Sequence, residues 1–521
     1  MLKKTLCLLV AVLLSFTLFG CDSAEDKYIL YIELDTEPVT LDPQLASGIS
    51  EEMIVRNIFE GLTRIDEEGK VVPGAAEKIE ASADGLVYTF TLNGNTGWSN
   101  GDRLTADDFV FGLERAVDPK ISAPSASLLY SIKNARNIAE GGNEKLGVTA
   151  VSENVLQIVL SEPDNNFLKK LSSAVAMPCN RKAFKEAKGK YGMNEDEIVS
   201  NGSFSMYYWD KQDDFRLRIL SNEYYEGRFK AEASSVVFSV GDFASRDEKL
   251  EKNSIDMGFV DSTVALENSK KYEFSKTGYG LLINSASAFG KEEFKKAIMS
   301  SINRDELFDS LLPGLDKSDV LIPQSLKLSN TPISELCSTG FPKIYNAETA
   351  RSLYMSGVDK YGAPGTMVIL HHKNEGIRQL AMEIATQLQH TLGVVVNLEE
   401  VNSNEDLTSR IAFKEYSLAI APYTDTNGSA TNYLLNFVSE NKSNMYQLSD
   451  KGYDELIKSV SANISEDNIV DLYNKAIKII NDEYILMPLV NNKEAFGYAN
   501  IYSCPVISPF DGIIDLALVK K

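Results

Sequence analysis

Between Met367 and Ala421 the apolar residues change their spacing four times, and that rhythm limits the fold more than any single motif. Residues 367–370 are a short apolar run. Ile377, Leu380, Ile384, Leu388 and Leu392 then recur every three or four positions, forming one helix stripe that ends at Gly393. Residues 394–398 read as a second strand, 407–413 as a polar helix and 417–421 as a third strand. Strand, helix, strand, helix, strand predicts a parallel α/β unit, because parallel neighbours need a crossover between them. Ligands of such sheets sit beyond the carboxyl ends of the strands. Pro422, Tyr423, Thr424 and Asp425, directly after the third strand, are therefore aimed at any cleft.

The N-terminal half has a different pattern. Residues 28–34 read as a buried strand, while 87–92, 155–160 and 215–220 alternate with a period of two. Trp98-Ser99-Asn100-Gly101-Asp102 contains an Asn-Gly turn. Thr105 caps a predicted helix with Asp107 and Asp108 in its first turn; Phe109, Leu113 and Ala116 share a face, and Asp118-Pro119 ends it. Ile469, Leu472, Tyr473, Ala476 and Ile480 form a last amphipathic helix. No internal repeat is present. The 521 residues fit two to four domains.

The chemistry of many enzymes is missing. There is no phosphate loop, Gly-x-Gly-x-x-Gly, Gly-x-Ser-x-Gly or His-Glu-x-x-His motif. His371 and His372 are adjacent on a strand end and point to opposite faces; His390 lies on a helix. The pairs Asp107-Asp108 and Asp213-Asp214 read as cap or turn residues. Three His and five Cys argue against a multi-His or multi-Cys metal centre. No catalytic residue, metal or cofactor is expected. With 52 basic against 74 acidic side chains, a charge of −22, the chain is a poor partner for nucleic acid.

Lys3 and Lys4 precede an apolar or small stretch at 6–20, shorter than the ~20 residues that span a bilayer core. This pattern predicts a signal peptide at 1–20. Leu18-Phe19-Gly20-Cys21 resembles the lipobox of bacterial lipoproteins, which implies lipidation of Cys21 and a tether at 21–27. Cleavage leaves 50 basic and 74 acidic residues, a charge of −24. Cys179, Cys337 and Cys504 then remain, an odd set in which one pair can form and which pair is open. As buried thiols they behave as small hydrophobes.

Leu34-Asp35-Thr36-Glu37-Pro38-x-x-Leu41-Asp42-Pro43, Phe59-Glu60-Gly61-Leu62, Val72-Pro73-Gly74-x-Ala76-Glu77 and Ser82-x-Asp84-Gly85-Leu86-x-Tyr88-Thr89-Phe90 follow in order. So do Trp98-Ser99-Asn100-Gly101, Thr105-Ala106-x-Asp108-Phe109-Val110, Val199-x-Asn201-Gly202, Ile302-Asn303-Arg304-Asp305 and Met487-Pro488. This series resembles the oligopeptide-binding lipoproteins of bacterial ABC importers, extracellular solute-binding protein family 5.

The resemblance implies an α/β, periplasmic-binding-protein-like two-lobed clamshell of the class II type with a small α/β insert domain. It places lobe I at 27–59, 185–280 and 489–521, the insert at 60–184 and lobe II at 281–488. It implies a monomer on the extracytoplasmic face of the membrane, anchored through Cys21, that passes peptides to an ABC permease. Peptide backbone would bind as an added strand. The implied backbone contacts are Ser47, Gly48 and Ile49, with Pro422, Tyr423 and Thr424; Pro422 has no N–H and can only accept. For the peptide ammonium, Thr426 falls on the family's anchor position and Asp425 lies one place earlier. Asp425 is taken as the anchor, the alternative being a solvated loop carboxylate. Ser403 and Val490-Asn491-Asn492 stand where the family favours aromatic residues. Two other readings stay open: the same scaffold binding a non-peptide solute or a signalling peptide, and a surface hydrolase or adhesion factor.

Overall fold

The computed structural model describes residues 27–66, 70–211, 215–275, 277–323, 326–328, 331–424, 430–441, 444–461, 466–507 and 512–521, the side chains of 327, 328, 405, 432, 461, 466 and 467 excepted. The predicted signal segment, Cys21 and the pair Asp213-Asp214 lie outside them.

The chain opens with strand β1 (Ile29–Leu34) and helix α1 (Ile49–Ile58). It continues through β2 (Ala76–Ala81), β3 (Val87–Leu92), α2 (Ala106–Val117), β4 (Val148–Ser152) and β5 (Val155–Val159). Next come β6 (Phe204–Asp210), β7 (Arg216–Ser221), β8 (Ser235–Val240), α3 (Phe243–Glu251), β9 (Met257–Val260) and β10 (Ser269–Phe274). The second half holds β11 (Thr277–Ile283), β12 (Leu315–Lys317), β13 (Met367–His372), α4 (Glu375–Leu392), β14 (Val396–Val401) and α5 (Asn404–Ala412). It ends with β15 (Leu418–Thr424), α6 (Glu466–Asp482), β16 (Leu486–Asn492) and β17 (Glu494–Ala499).

Three sheets organise these elements. The first has seven strands in the order β10-β17-β9-β1-β8-β7-β6, the second six in the order β12-β16-β11-β15-β13-β14, and the third four in the order β2-β3-β5-β4. In the first, β1 runs parallel to β8 and β9. In the second, β13 runs parallel to both β14 and β15, as the strand-helix rhythm predicts.

Local chemistry sets the ends of these elements. Asn374 caps α4, its Oδ1 accepting from the backbone N–H of Gly376 at 3.0 Å and Ile377 at 3.3 Å. Gly393, at φ +69°, turns the chain out of α4 through the left-handed region that glycine tolerates best. Ile377, Leu380, Ile384 and Leu388 are buried, so the predicted stripe is the packed face. At α2, Thr105 and Asp108 form a reciprocal capping box, and Trp98 Nε1 donates to Asp108 Oδ2 at 3.3 Å.

The cores divide the molecule. One apolar cluster fills the space beneath the seven-stranded sheet and runs on into the four-stranded sheet, joining Leu30, Ile32 and Phe238 to Phe90, Phe109 and Leu156. The six-stranded sheet is packed on both faces, because successive residues of a strand point to opposite sides. Leu282, Ala419 and Tyr423 enter one core, and Leu281, Ile283, Leu418 and Ile420 the other. Among the described residues no apolar cluster joins the seven-stranded body to the six-stranded body.

Candidate functional site

Two segments carry the chain between these bodies, and they lie side by side. The first crosses between Phe274 and Thr277, the second through Lys493 alone. On one side β10 pairs with β17, bringing Phe274 opposite Glu494; on the other β11 pairs with β16, bringing Gly278 opposite Asn491. Two bodies with separate cores and a narrow double connection can change their mutual angle without breaking either core.

Between them opens a cleft of about 650 Å³. The seven-stranded body contributes Asp35, Ile49, Phe243, Phe259 and the turn Asp261-Ser262-Thr263. The six-stranded body contributes Leu312 to Leu315 and Asn374 to Gly376, with Asn492 to Ala495 at the crossing. Phe243 and Phe259 give apolar surface; most of the remaining wall is small or polar.

The floor beside β1 is fixed by a buried guanidinium. Arg246, fully buried on α3, donates from Nε to Glu33 Oε1 at 3.1 Å, from Nη1 to the Phe259 carbonyl at 2.8 Å and from Nη2 to the Leu34 carbonyl at 3.0 Å. It also pairs with Asp35 of the cleft wall, and Lys249 takes the second oxygen of Glu33. This network satisfies a buried charge on every side and sets where β1 ends. Opposite, Glu375 pairs with Arg378 at 2.6 Å. At the crossing, the Lys493 ammonium pairs with Asp316 at 2.9 Å.

The sequence-predicted contacts fall in two places. Gly48 is the N-cap of α1, and Ile49 reaches the cleft. Ser47 is exposed in the loop before it. The first-turn N–H groups of α1 have no intrahelical acceptor, but the Glu51 carboxylate lies against Gly48, with Oε2 2.1 Å from where a Cβ would stand. Pro422, Tyr423 and Thr424 belong to β15, opposite Tyr279, Gly278 and Thr277 of β11. On its other side β15 is registered with β13 only at Leu418 and Ala419, so its last residues extend past β13 with no strand registered on that side among the described residues. None of the three lines the 650 Å³ cleft. Asp425 and Thr426 lie outside the described residues.

The Tyr423 side chain turns away into the core, where its hydroxyl meets Ser318 Oγ at 3.1 Å and burial pushes its pKa up to about 12. Gly278 makes room for it: a Cβ there would stand 2.2 Å from the ring. His371 is buried and its Nδ1 is 2.9 Å from the His372 carbonyl oxygen, while His372 Nδ1 accepts from the Asn374 N–H at 3.0 Å. Ser403 caps α5, accepting from the Asp406 N–H at 3.1 Å. Cys179 and Cys337 are buried free thiols and Cys504 an exposed one.

The cleft segments at 261–263, 312–315 and 374–376 were not singled out from sequence. For the last a signal existed: Asn374 follows the carboxyl end of β13, where the rule applied to β15 also points.

The arrangement is that of a periplasmic-binding-protein-like clamshell with a small α/β insert. Solved structures share it. The substrate-binding domain of an oligopeptide ABC transporter from Bacillus anthracis str. Ames matches with a TM-score of 0.73 and 24% identity, covering 95% of this chain and 98% of that one. Listeria monocytogenes OppA bound to peptide matches with a TM-score of 0.74 and 22% identity, over 95% of this chain and 99% of that one. The dipeptide-binding protein DppE of Bacillus subtilis (strain 168) is 25% identical over 502 residues, 91% of each chain. Residues 70–445 match the bacterial extracellular solute-binding proteins, family 5 (middle), and the chain belongs to that family.

Proposed function

We propose that this protein is the extracytoplasmic capture component of an ABC importer and binds oligopeptides between its lobes. The observation that carries the reading is the cleft of about 650 Å³ set between two bodies with separate cores and a double connection. The names of DppE and of the peptide-bound OppA support a peptide as the solute class.

In this reading lobe I is built on the seven-stranded sheet, the insert on the four-stranded sheet and lobe II on the six-stranded sheet, with the lobes exchanging chain near Phe274–Thr277 and Lys493. The peptide backbone lies along that side of β15 at Pro422, Tyr423 and Thr424 and reaches the α1 entry at Ser47, Gly48 and Ile49 as the lobes close. Asp425 receives its ammonium. Backbone bonds of about 0.5–1.5 kcal/mol each, with one charged contact of about 1.5–3, add up to the ~8 kcal/mol of micromolar capture. Backbone recognition reads no side chain, so it tolerates many sequences. The protein works as a monomer, catalyses no reaction, hangs from the membrane by a lipid on Cys21 and passes its ligand to the permease. Intact mass of the mature protein tests the anchor: a Met1 terminus with an unmodified Cys21 contradicts it.

Calorimetry with a panel of di- to decapeptides tests the ligand class. Saturable one-to-one binding without turnover is expected. No heat and no thermal stabilisation with any peptide, alongside stabilisation by another solute class, overturns it. The second reading, a non-peptide solute on the same scaffold, draws on Ser403 and Asn492, which stand where the family favours aromatic residues.

A further inference from the structure

The connection between the bodies is itself braced from both sides. Lys493 donates its backbone N–H to the Gly314 carbonyl at 2.8 Å, and its ammonium reaches Asp316 at 2.9 Å; both partners belong to the six-stranded body. Its own carbonyl accepts from Ser262 Oγ at 3.2 Å, a partner in the seven-stranded body. One residue thus ties the turn at 261–263 to the loop at 312–315.

These two segments also meet directly. Gly314 has φ +90°, and a Cβ built on it would stand 3.3 Å from Thr263 Cγ2 and 3.8 Å from Ser262 Oγ. Neither side is slack. The turn is held by Asp261, whose Oδ1 accepts from the Thr263 N–H at 2.8 Å and from its hydroxyl at 2.7 Å, and by Lys271 of β10, which donates to the Val264 carbonyl at 3.1 Å. The loop runs from Leu312-Pro313 into β12, which is registered with β16 at Asn492 and Asn491. Both segments line the cleft.

We infer that Thr263 against Gly314 is a closure stop: a rigid contact beside the pivot that sets how far the two lobes approach on the hinge side. It rests on the reading that the cleft closes on its ligand. A contact close to a pivot has leverage, because a change of one side chain there becomes a larger change at the mouth. Glycine at 314 supplies both the left-handed backbone and the close approach. Enlarging Thr263 wedges the lobes apart, and trimming it lets them close further.

The test needs no ligand, so it can fail separately from the peptide reading. Spin labels are placed at Glu248→Cys and Met382→Cys, exposed positions on the two bodies, in a Cys504→Ser background, and the interlobe distance distribution is measured in free protein. Thr263→Tyr is expected to shift the distribution to longer distances and Thr263→Gly to shorter ones, each with an unchanged circular dichroism spectrum. With any peptide of the di- to decapeptide panel that binds the parent, Thr263→Tyr is expected to bind at least tenfold more weakly, and parent-like affinity in a Thr263→Tyr that holds the lobes further apart overturns the stop. A folded Thr263→Tyr and Thr263→Gly that both keep the parent distribution overturn the stop. Should Thr263→Tyr fail to fold, the Thr263→Gly distribution decides alone: a shift to shorter distances supports the stop, and no shift overturns it.

Discussion

The two bodies are held together by different physics. In the seven-stranded body, strands from residues 29–34, 204–274 and 494–499 must find one another, and buried charges mark where they meet. Arg246 joins Glu33, Asp35 and β9. Arg64 joins Glu60 to Asp515 near the far end of the chain. Arg115 pairs with Asp42 in the interior. The six-stranded body is cut from one stretch of chain, 277–492, and rests on apolar and tyrosine packing, with Tyr423, Tyr433, Tyr446 and Tyr453 in one core. Most of its ion pairs, such as Glu375–Arg378 and Arg410–Glu399, are exposed or half-exposed, where such pairs contribute about 0–1 kcal/mol; Arg304, 11% exposed, is the more buried case, and its partner Asp319 is exposed. A body assembled from distant segments gains from interactions that only one register can satisfy; a contiguous one needs mainly area and shape.

Four substitutions probe that contrast. Arg246→Ala leaves Glu33, 4% exposed, without its buried partner and is expected to lower stability by about 3–5 kcal/mol in urea unfolding. A loss below about 1 kcal/mol would break the claim that charge organises this body. Ile384→Ala, on the buried face of α4, is expected to cost about 2–5 kcal/mol through lost burial and a cavity. Gly278→Ala drives a methyl against the Tyr423 ring and is expected to cost about 1–3 kcal/mol; a neutral result would mean that β11 and β15 are not packed this closely.

The smallest effect is a pH dependence. Glu60 is buried, accepts from Tyr225 at 2.6 Å and from Arg64 at 3.3 Å, and has no partner for Oε2 among the described residues. Burial raises its pKa above the ordinary value. A carboxyl that holds its proton more tightly folded than unfolded favours folding most below the unfolded pKa, about 4.3 for Glu, and loses that contribution as pH rises through the folded value. The stability of the parent relative to Glu60→Gln should therefore improve as pH falls from 7 toward that range. A difference that stays constant with pH, measured by urea unfolding, contradicts it.

What the residues announce and what they conceal follows the same division. The parallel unit was readable because each of its signals is local. The α4 stripe and Gly393 stand in one stretch, and strands β13, β14 and β15 join through short crossovers. The Thr105 cap and its Asp108 partner are likewise three residues apart. The cleft was only partly readable. Ile49 was named from the family resemblance and lines it. Asp261-Ser262-Thr263 and Leu312-Pro313-Gly314 carry no motif, and they become a wall only because the chain crosses twice between the sheets. The Ser262–Lys493 bond spans 231 positions, a distance over which spacing says nothing.

Hydrogen exchange with and without bound peptide tests the central claim most directly. Capture in the interlobe cleft predicts slowed exchange at 47–49, 261–263, 312–315, 374–376 and 422–424, with little change in the four-stranded sheet at 76–92 and 148–159. Protection confined to that sheet, or none at these segments under saturating peptide, would contradict it.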